Sequence, residues 1–416
     1  MGSKGWAAFR HRNYRLFLAV RFAMSLATQI QNVAVGWLVY DISRSALSLG
    51  LAGLASFLPA IALVLVTGLV ADRYSRQWIM LLVLGAMMLT SLGLLIQVSA
   101  GAPSLWAIYA LLVAFGAARA FGNPAGQALV PALVPAEDLA NAVAWNSSAI
   151  QVATIAGPAV GGILYAIHPL APFMGAALCF GISALLVSLL RLTAATAKRE
   201  PVTWSRVVAG LVFLRTKPVL LGAISLDLFA VLLGGATALM PIFARDIFHV
   251  GPWGLGLLRS MPAVGAVTMA AVLAHSSLLS NRAGLRMLQA VGIFGLATIG
   301  FGLSTNFILT LVLLAVLGAA DMVSVVVRQT LVQVETPDEL RGRVAAVNAV
   351  FIGASNELGE FESGMLAWLI GPVAAVVLGG FGTLSLAVFW RFIFPDLAQR
   401  DSLLRSEPAA REKPAA

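Results

Sequence analysis

Residues 68–77 read Gly68-Leu69-Val70-Ala71-Asp72-Arg73-Tyr74-Ser75-Arg76-Gln77. One carboxylate and two guanidiniums are confined there between two long apolar runs, the first from about Leu47 and the second from Trp78 to about Val98. Two membrane helices joined by so short a loop are antiparallel neighbours. Their loop charges then sit at the membrane surface, where they can cap helix ends and pair with adjacent helices.

The rest of the chain repeats this pattern of long apolar runs and short polar joints. Of 416 residues, 60% are hydrophobic and 11% charged, with a mean hydropathy of +0.92. A soluble domain could not bury so much apolar surface. A helix needs ~20 apolar residues to cross the hydrocarbon core. Twelve segments meet that length: 14–40, 47–71, 77–99, 104–128, 143–167, 171–191, 218–243, 252–275, 285–304, 306–333, 343–369 and 372–393. They are longer than the ~10-residue alternating strands of a membrane barrel. The expected fold is an all-α polytopic membrane protein of twelve transmembrane helices in two six-helix bundles.

The net charge of +9 does not call for nucleic acid. With the N-terminus inside, nearly all loop Lys and Arg fall on the inner side, and the outer loops hold Arg44 and Arg245. The positive-inside rule then puts both termini in the cytoplasm of an inner-membrane protein. Expected partners are a small-molecule substrate and the lipid bilayer, with no nucleic acid and a monomeric state. Cys179 is the single cysteine, so no disulfide framework exists, and the four histidines show no metal-ligand spacing. No phosphate-binding glycine loop with lysine is present, and no nucleophile has a base and an orienting partner, so neither ATP hydrolysis nor an enzyme is expected. No cofactor is expected beyond an ion gradient, with protons as the expected ion.

The domain boundaries follow from composition. Residues 1–13 form a basic cytoplasmic lead, 14–191 the first bundle and 218–393 the second. Within the linker 192–217, Trp204, Val207, Val208, Leu211 and Leu214 recur at helical spacing, as in a helix lying on the membrane surface. The tail 394–416 is expected to be disordered. Trp37 and Tyr40 suit the outer headgroup level, and Asn123-Pro124-Ala125-Gly126 a break or kink. The halves are related: Asn146 and Asn348 follow similar acidic loops, and Gly157 and Gly162 match Gly359 and Gly364 at the same offset. Like-oriented halves of six helices are a transporter arrangement.

An ionisable group at membrane depth costs at least ~2.5–3.5 kcal/mol on insertion scales and should face protein or water. The candidates are Arg21, Arg119, Asp227, Arg259, Asp321, Arg328, Glu357, Glu360 and Glu362. None of these candidates lies on helices 3, 6, 9 or 12, which read as lipid-facing supports, with the other eight as walls of a polar path. Asp227, Asp321, Glu357 and Glu360 are candidate proton or substrate sites, because a desolvated carboxylate can exchange a proton near neutral pH. Arg119 and Arg328 are further candidates, with interhelical ion pairing as the alternative for each charge.

The opening turn resembles the loop 2–3 motif of the major facilitator superfamily. Gly68, Asp72, Arg73 and Arg76 match, while Ser75 stands where the family often has glycine and Gln77 where it often has a basic residue. The resemblance implies that Asp72, Arg73 and Arg76 gate the cytoplasmic side. Gly157, Pro158, Gly161 and Gly162 resemble the helix 5 motif of the antiporter branches, with Ala153 at a further glycine position. There they set helix packing and bend. Arg119 resembles the helix 4 arginine linked to proton coupling. Val35-Gly36-Trp37-Leu38-Val39-Tyr40 and Pro337-Asp338-Glu339-Leu340-Arg341-Gly342-Arg343 extend the likeness to the 12-helix drug and siderophore efflux subfamily, which includes macrolide and enterobactin exporters. Many members have an acid in helix 1, where this chain reads Thr28-Gln29-Ile30-Gln31-Asn32. The expected function is proton-coupled export of a small amphipathic compound by alternating access. An importer, a sodium-coupled carrier and a non-transporting scaffold or sensor of the same fold stay open.

Overall fold

The computed structural model describes residues 4–63, 66, 67, 70, 73–191, 211–279 and 281–401. Twelve principal helices follow one another: α1 (Arg12–Ser43), α2 (Ala46–Ala62), α3 (Arg76–Ser99), α4 (Leu105–Leu133), α5 (Leu139–Ile167), α6 (Ala171–Ser188), α7 (Pro218–Leu233), α8 (Gly251–His275), α9 (Ala283–Leu303), α10 (Phe307–Glu335), α11 (Asp338–Ile370) and α12 (Pro372–Ile393). Successive helices run antiparallel, so their ends fall on two faces. The basic face carries residues 4–15, 133–141, 188–191, 275–286, 335–340 and 393–401; the distal face carries the joints near 44, 101, 168, 249, 305 and 371.

Local chemistry sets several boundaries. Ser75 Oγ accepts the Trp78 N–H at 3.3 Å and starts α3; Asn306 Oδ1 does the same for Leu309 at 3.0 Å and starts α10. Proline stands in the first turn of α6, α7, α8 and α12, where its missing N–H has no helical partner to lose. Gly371, at φ +89°, turns the chain between α11 and α12.

Among the described residues, nine helical stretches are long and apolar enough to cross a membrane. The principal helices outside that set are α1, α2 and α11. α2 is described over only 17 residues, while α1 and α11 carry the polar groups that wall the interior. α3, α6, α9 and α12 instead turn Leu82, Leu178, Leu296 and Phe392 outward, all more than half exposed. Such a surface suits acyl chains.

α1–α6 and α7–α12 pack as two groups, joined chiefly through α5 against α8 and α2 against α11. Buried apolar residues form three clusters. One, from Ala8 to Leu190, lies wholly in the first half, and one, from Leu214 to Leu397, wholly in the second. The third joins Val33–Tyr40 of α1 to Ala236–Ala244, Leu255 and Phe301, at the distal end. The apolar cores therefore fuse distally and stay separate toward the basic face.

Several segments differ from the sequence expectation. α7 does not run unbroken to residue 243. It unwinds at Gly234-Gly235 and continues as tight turns, Ala236–Leu239 and Met240–Ile242, then a π-turn, Phe243–Ile247. Gly235 lets α11 approach at Gly359, Gly234 makes room for the Phe294 ring of α9, and the opened backbone borders a cavity rather than lipid. α4 continues through Asn123–Gly126 to Leu133. Trp37 and Tyr40, at the distal end of α1, are buried at the contact between halves rather than exposed on the outer surface of the bundle. Residues 395–398 form a helical turn, Leu397 is fully buried, and Arg400 bonds Glu335 at 2.5 Å, so the tail is ordered at least to 401. Residues 4–10 form a 3-10 helix docked on α5, with the Ala8 N–H on Asn141 Oδ1 at 3.1 Å and His11 on Asp138 at 2.8 Å. Most of the linker helix lies outside the described residues; its end, 211–215, is helical and buries Leu214.

Glycine makes the joint between halves possible. A Cβ at Gly162 would meet Pro252 O at 2.5 Å and the Gly256 backbone at 3.0 Å, whereas one at Gly85 of α3 would meet nothing within 4 Å. Gly162→Ala is expected to lower stability by ~1–3 kcal/mol through overpacking, and Gly85→Ala to leave it level or raise it. Thermal unfolding of the two purified variants in one detergent checks the contrast.

Candidate functional site

A central cavity of about 490 Å³ lies between the halves. α1 contributes Gln29 and Asn32, α5 Gln151, Thr154 and Pro158, and the unwound part of α7 Gly234, Gly235 and Thr237. α8 adds Arg259, α10 Asp321 and Met322, α11 Asn356 and Glu360, and α9 the ring of Phe294. Its size is that of small-molecule sites, ~300–1,000 Å³. A second cavity of about 280 Å³ shares Gln29 and Asn32 and reaches into the first half past Ser25 and Thr28 to Arg21 and Arg119. A third, about 110 Å³, shares Asn32 and reaches toward α2, bordered by Gly53, Ser56, Glu357 and Glu360. α6 and α12 border none of the three.

The buried charges fall into distinct settings. Arg328 and Asp227 form a closed pair at 3.2 Å, with side chains 3% and 6% exposed. Ser324 Oγ donates to Asp227 at 3.3 Å, and Arg328 donates to Asn348 Oδ1 at 3.0 Å. Arg119 of the first half reaches Glu357 of the second at 3.1 Å. Asp321 and Glu360 border the central cavity, as does Arg259 beside Glu360. So Asp227 and Arg328 sit together off the cavity, Arg119 and Glu357 bridge the halves, and Asp321 and Glu360 face open space.

The glycine-rich turn of α5 sits on the same joint. Pro158 borders the cavity. A Cβ on Gly157 would meet Gln29 Cβ at 2.5 Å, and one on Gly161 the Ile30 backbone at 2.9 Å, so α1 lies directly on this stretch. At the basic face, Arg73 is exposed and Arg76 half-buried at the first residue of α3. Gly68 and Asp72 lie outside the described residues. Gln77 donates to the carbonyls of Val187 at 2.9 Å and Leu190 at 3.0 Å, capping the end of α6.

Sequence reasoning missed a second charged cluster, at the distal face. Tyr40 donates to Asp246, Arg245 pairs with Asp41, and Arg44 lies 3.7 Å from Asp246. The Arg245 guanidinium also sits over the Trp37 ring, 5.5 Å from its centroid. Every contact joins the end of α1 to the end of the α7 segment. The signal was present: Arg44 and Arg245, the two basic residues expected in outer loops, each have an aspartate within three positions.

The family model described as transmembrane secretion effector matches residues 3–412. The chain belongs to that family, within the major facilitator superfamily. It is 30% identical over 398 residues to the enterobactin exporter EntS of Shigella dysenteriae, covering 93% of each chain. The enterobactin exporter of Escherichia coli O1:K1 matches equally, 30% over 93% of each. The fold is similar to a bacterial homologue of the lysosomal transporter Spinster in an inward-facing, occupied conformation: TM-score 0.73, 15% identity, 96% of this chain and 99% of that one. A bacterial ferroportin homologue in the inward-facing state gives 0.69 at 18% identity, covering 94% and 99%.

The chain is thus a multi-pass membrane transporter and not an enzyme. Its interior charges give a direct test of pairing. Arg328→Ala strands Asp227 in a buried site, at an expected cost of ~3–5 kcal/mol. Asp227→Asn with Arg328→Gln removes both charges and is expected to recover most of that loss. The thermal unfolding midpoints of the single and double variants measure it.

Proposed function

We propose that this secretion effector exports a small amphipathic organic compound, such as a siderophore, drug or metabolite, by alternating access. One observation carries the reading: a polar cavity between two bundles whose apolar cores fuse distally and separate toward the basic face. A cavity reached from one side is half of a transport cycle, and the other half requires the distal joint to open. The likeness to enterobactin exporters over 93% of the chain supports the export direction and an organic substrate. The excess of Lys and Arg on the basic face supports a cytoplasmic location for that face and for both termini.

In this reading Tyr40, Asp41, Arg44, Arg245 and Asp246 hold the outward side shut. Asp72, Arg73 and Arg76 would form the opposing closure when the cavity faces outward. Gly157, Gly161 and Gly162 let α5 roll on its neighbours without side-chain obstruction. Asp321 and Glu360 are the proposed proton carriers, because they face the cavity. Arg119–Glu357 would break and reform as the halves separate.

Inverted vesicles loaded with the protein and given an inward-acid gradient should accumulate the exported compound. Asp321→Asn is expected to cut gradient-driven accumulation at least tenfold while the protein inserts normally. Accumulation independent of the pH gradient would remove the proton assignment, and full activity of the variant would remove Asp321 from the coupling. Asp41→Asn with Asp246→Asn should weaken distal closure and raise reactivity of cysteines placed in the cavity toward an impermeant thiol reagent added from outside.

A further inference from the structure

The two halves hold their buried guanidiniums differently. In the second half, Arg328 of α10 has Asp227 at 3.2 Å and Asn348 at 3.0 Å. The internal repeat that matches Asn146 to Asn348 matches Gly126 of α4 to Arg328 at the same offset. A guanidinium occupies that place in the first half as well, but it comes from Arg21 of α1. Its Nη1 lies so near Gly126 that a Cβ there would sit 2.8 Å away.

Among the described residues, no carboxylate accompanies it. Arg21 Nε and Nη1 are buried without a hydrogen-bond partner among the described residues. Asn146 leaves its own Oδ1 without a partner, so it does not serve Arg21 as Asn348 serves Arg328. The cavity of about 280 Å³ that Arg21 borders has no acidic residue in its wall. Arg119, its other cation, already holds Glu357. A guanidinium stays charged in a protein and offers five donors. Desolvated without a counter-ion it is costly, and an anion with paired oxygens is its natural complement.

A path leads to it. Ser25, Thr28, Gln29 and Asn32 follow Arg21 along one face of α1, and Gln29 and Asn32 border the central cavity too. We propose that Arg21 is an anion-binding subsite for the transported compound: a carboxylate, or a similar pair of oxygens on a small organic anion, docks on Arg21 while its apolar body lies in the central cavity. This rests on the reading of that cavity as the transport site. The aspartate that neutralises the matching guanidinium in the second half is replaced, in the first, by the substrate.

The test uses the full-length protein in phosphatidylcholine nanodiscs and a matched pair of probes, 1-naphthoate and its neutral amide, by equilibrium dialysis. The wild type should bind the carboxylate at least tenfold more tightly than the amide. Arg21→Gln should bring the carboxylate down to the level of the amide and leave the amide unchanged, and Arg21→Lys should keep part of the preference. Ser25→Leu, which fills the approach to Arg21, should lose the carboxylate likewise and serves if Arg21→Gln does not fold. Equal affinity for the two probes, binding of neither, or a preference that survives Arg21→Gln would overturn the proposal. So would loss of naphthoate binding when phosphatidylglycerol replaces part of the lipid, which would assign the site to a headgroup. Export failure is read separately, because vesicle accumulation can vanish while the carboxylate preference persists, and the reverse.

Discussion

Hydrocarbon offers no partner to a charged or polar side chain, and the architecture follows from that constraint. The charged groups at membrane depth are gathered on α1, α4, α7, α8, α10 and α11, which with α2 and α5 border three connected cavities. α3, α6, α9 and α12 turn apolar surface outward, and of their described residues only Met87 and Phe294 border those three cavities. Within the interior, charges are either closed into pairs, as Asp227–Arg328, or left where water or a ligand can reach them, as Asp321 and Glu360. In the proposed reading, that division separates groups that hold a bundle together from groups available to the transport cycle.

The joint between the halves is built from two kinds of contact. Glycine and proline on α5 and α8 bring backbones into direct contact, as Gly162 does with Pro252 and Gly256. Such a surface lacks interlocking side chains. At the distal end the contact is polar and exposed at its rim: Asp41 and Arg44 are about half exposed, and Asp246 is 41% exposed. Exposed ion pairs contribute ~0–1 kcal/mol each. The apolar contact beneath supplies most of the joint's strength, and the rim pairs are free to break and reform. The closed pair Asp227–Arg328, inside one half, has no such freedom.

Much of this was legible in the sequence, for physical reasons that also mark where legibility ended. The cost of burying charge marked α1, α4, α7, α8, α10 and α11 as walls, because composition alone encodes it, but α2 and α5 carry no more charge in their spans than the four supports. It did not say which carboxylate pairs with which guanidinium, since Arg119 and Glu357 are 238 positions apart. Asp227 was read with Asp321 as a candidate proton or substrate site, with ion pairing as the alternative, and folding sets it 3.2 Å from Arg328. The distal cluster went unread because Asp41 and Arg245 look like ordinary loop charges until folding brings them together. The break in α7 was hidden by a long apolar run that Gly234-Gly235 barely interrupts. The ordered end of the chain, where Leu397 is buried, was masked by its polar neighbours.

The central claim is that the distal joint is a closure that opens in turn with the basic face. Spin labels at Ser43→Cys and His249→Cys, in a Cys179→Ser background, would report it by pulsed electron–electron distance measurement in nanodiscs. The account predicts a short distance in the resting protein and a second, longer population when a transported compound is bound or when Asp321→Asn mimics protonation. A single unchanged distance under every condition would contradict it.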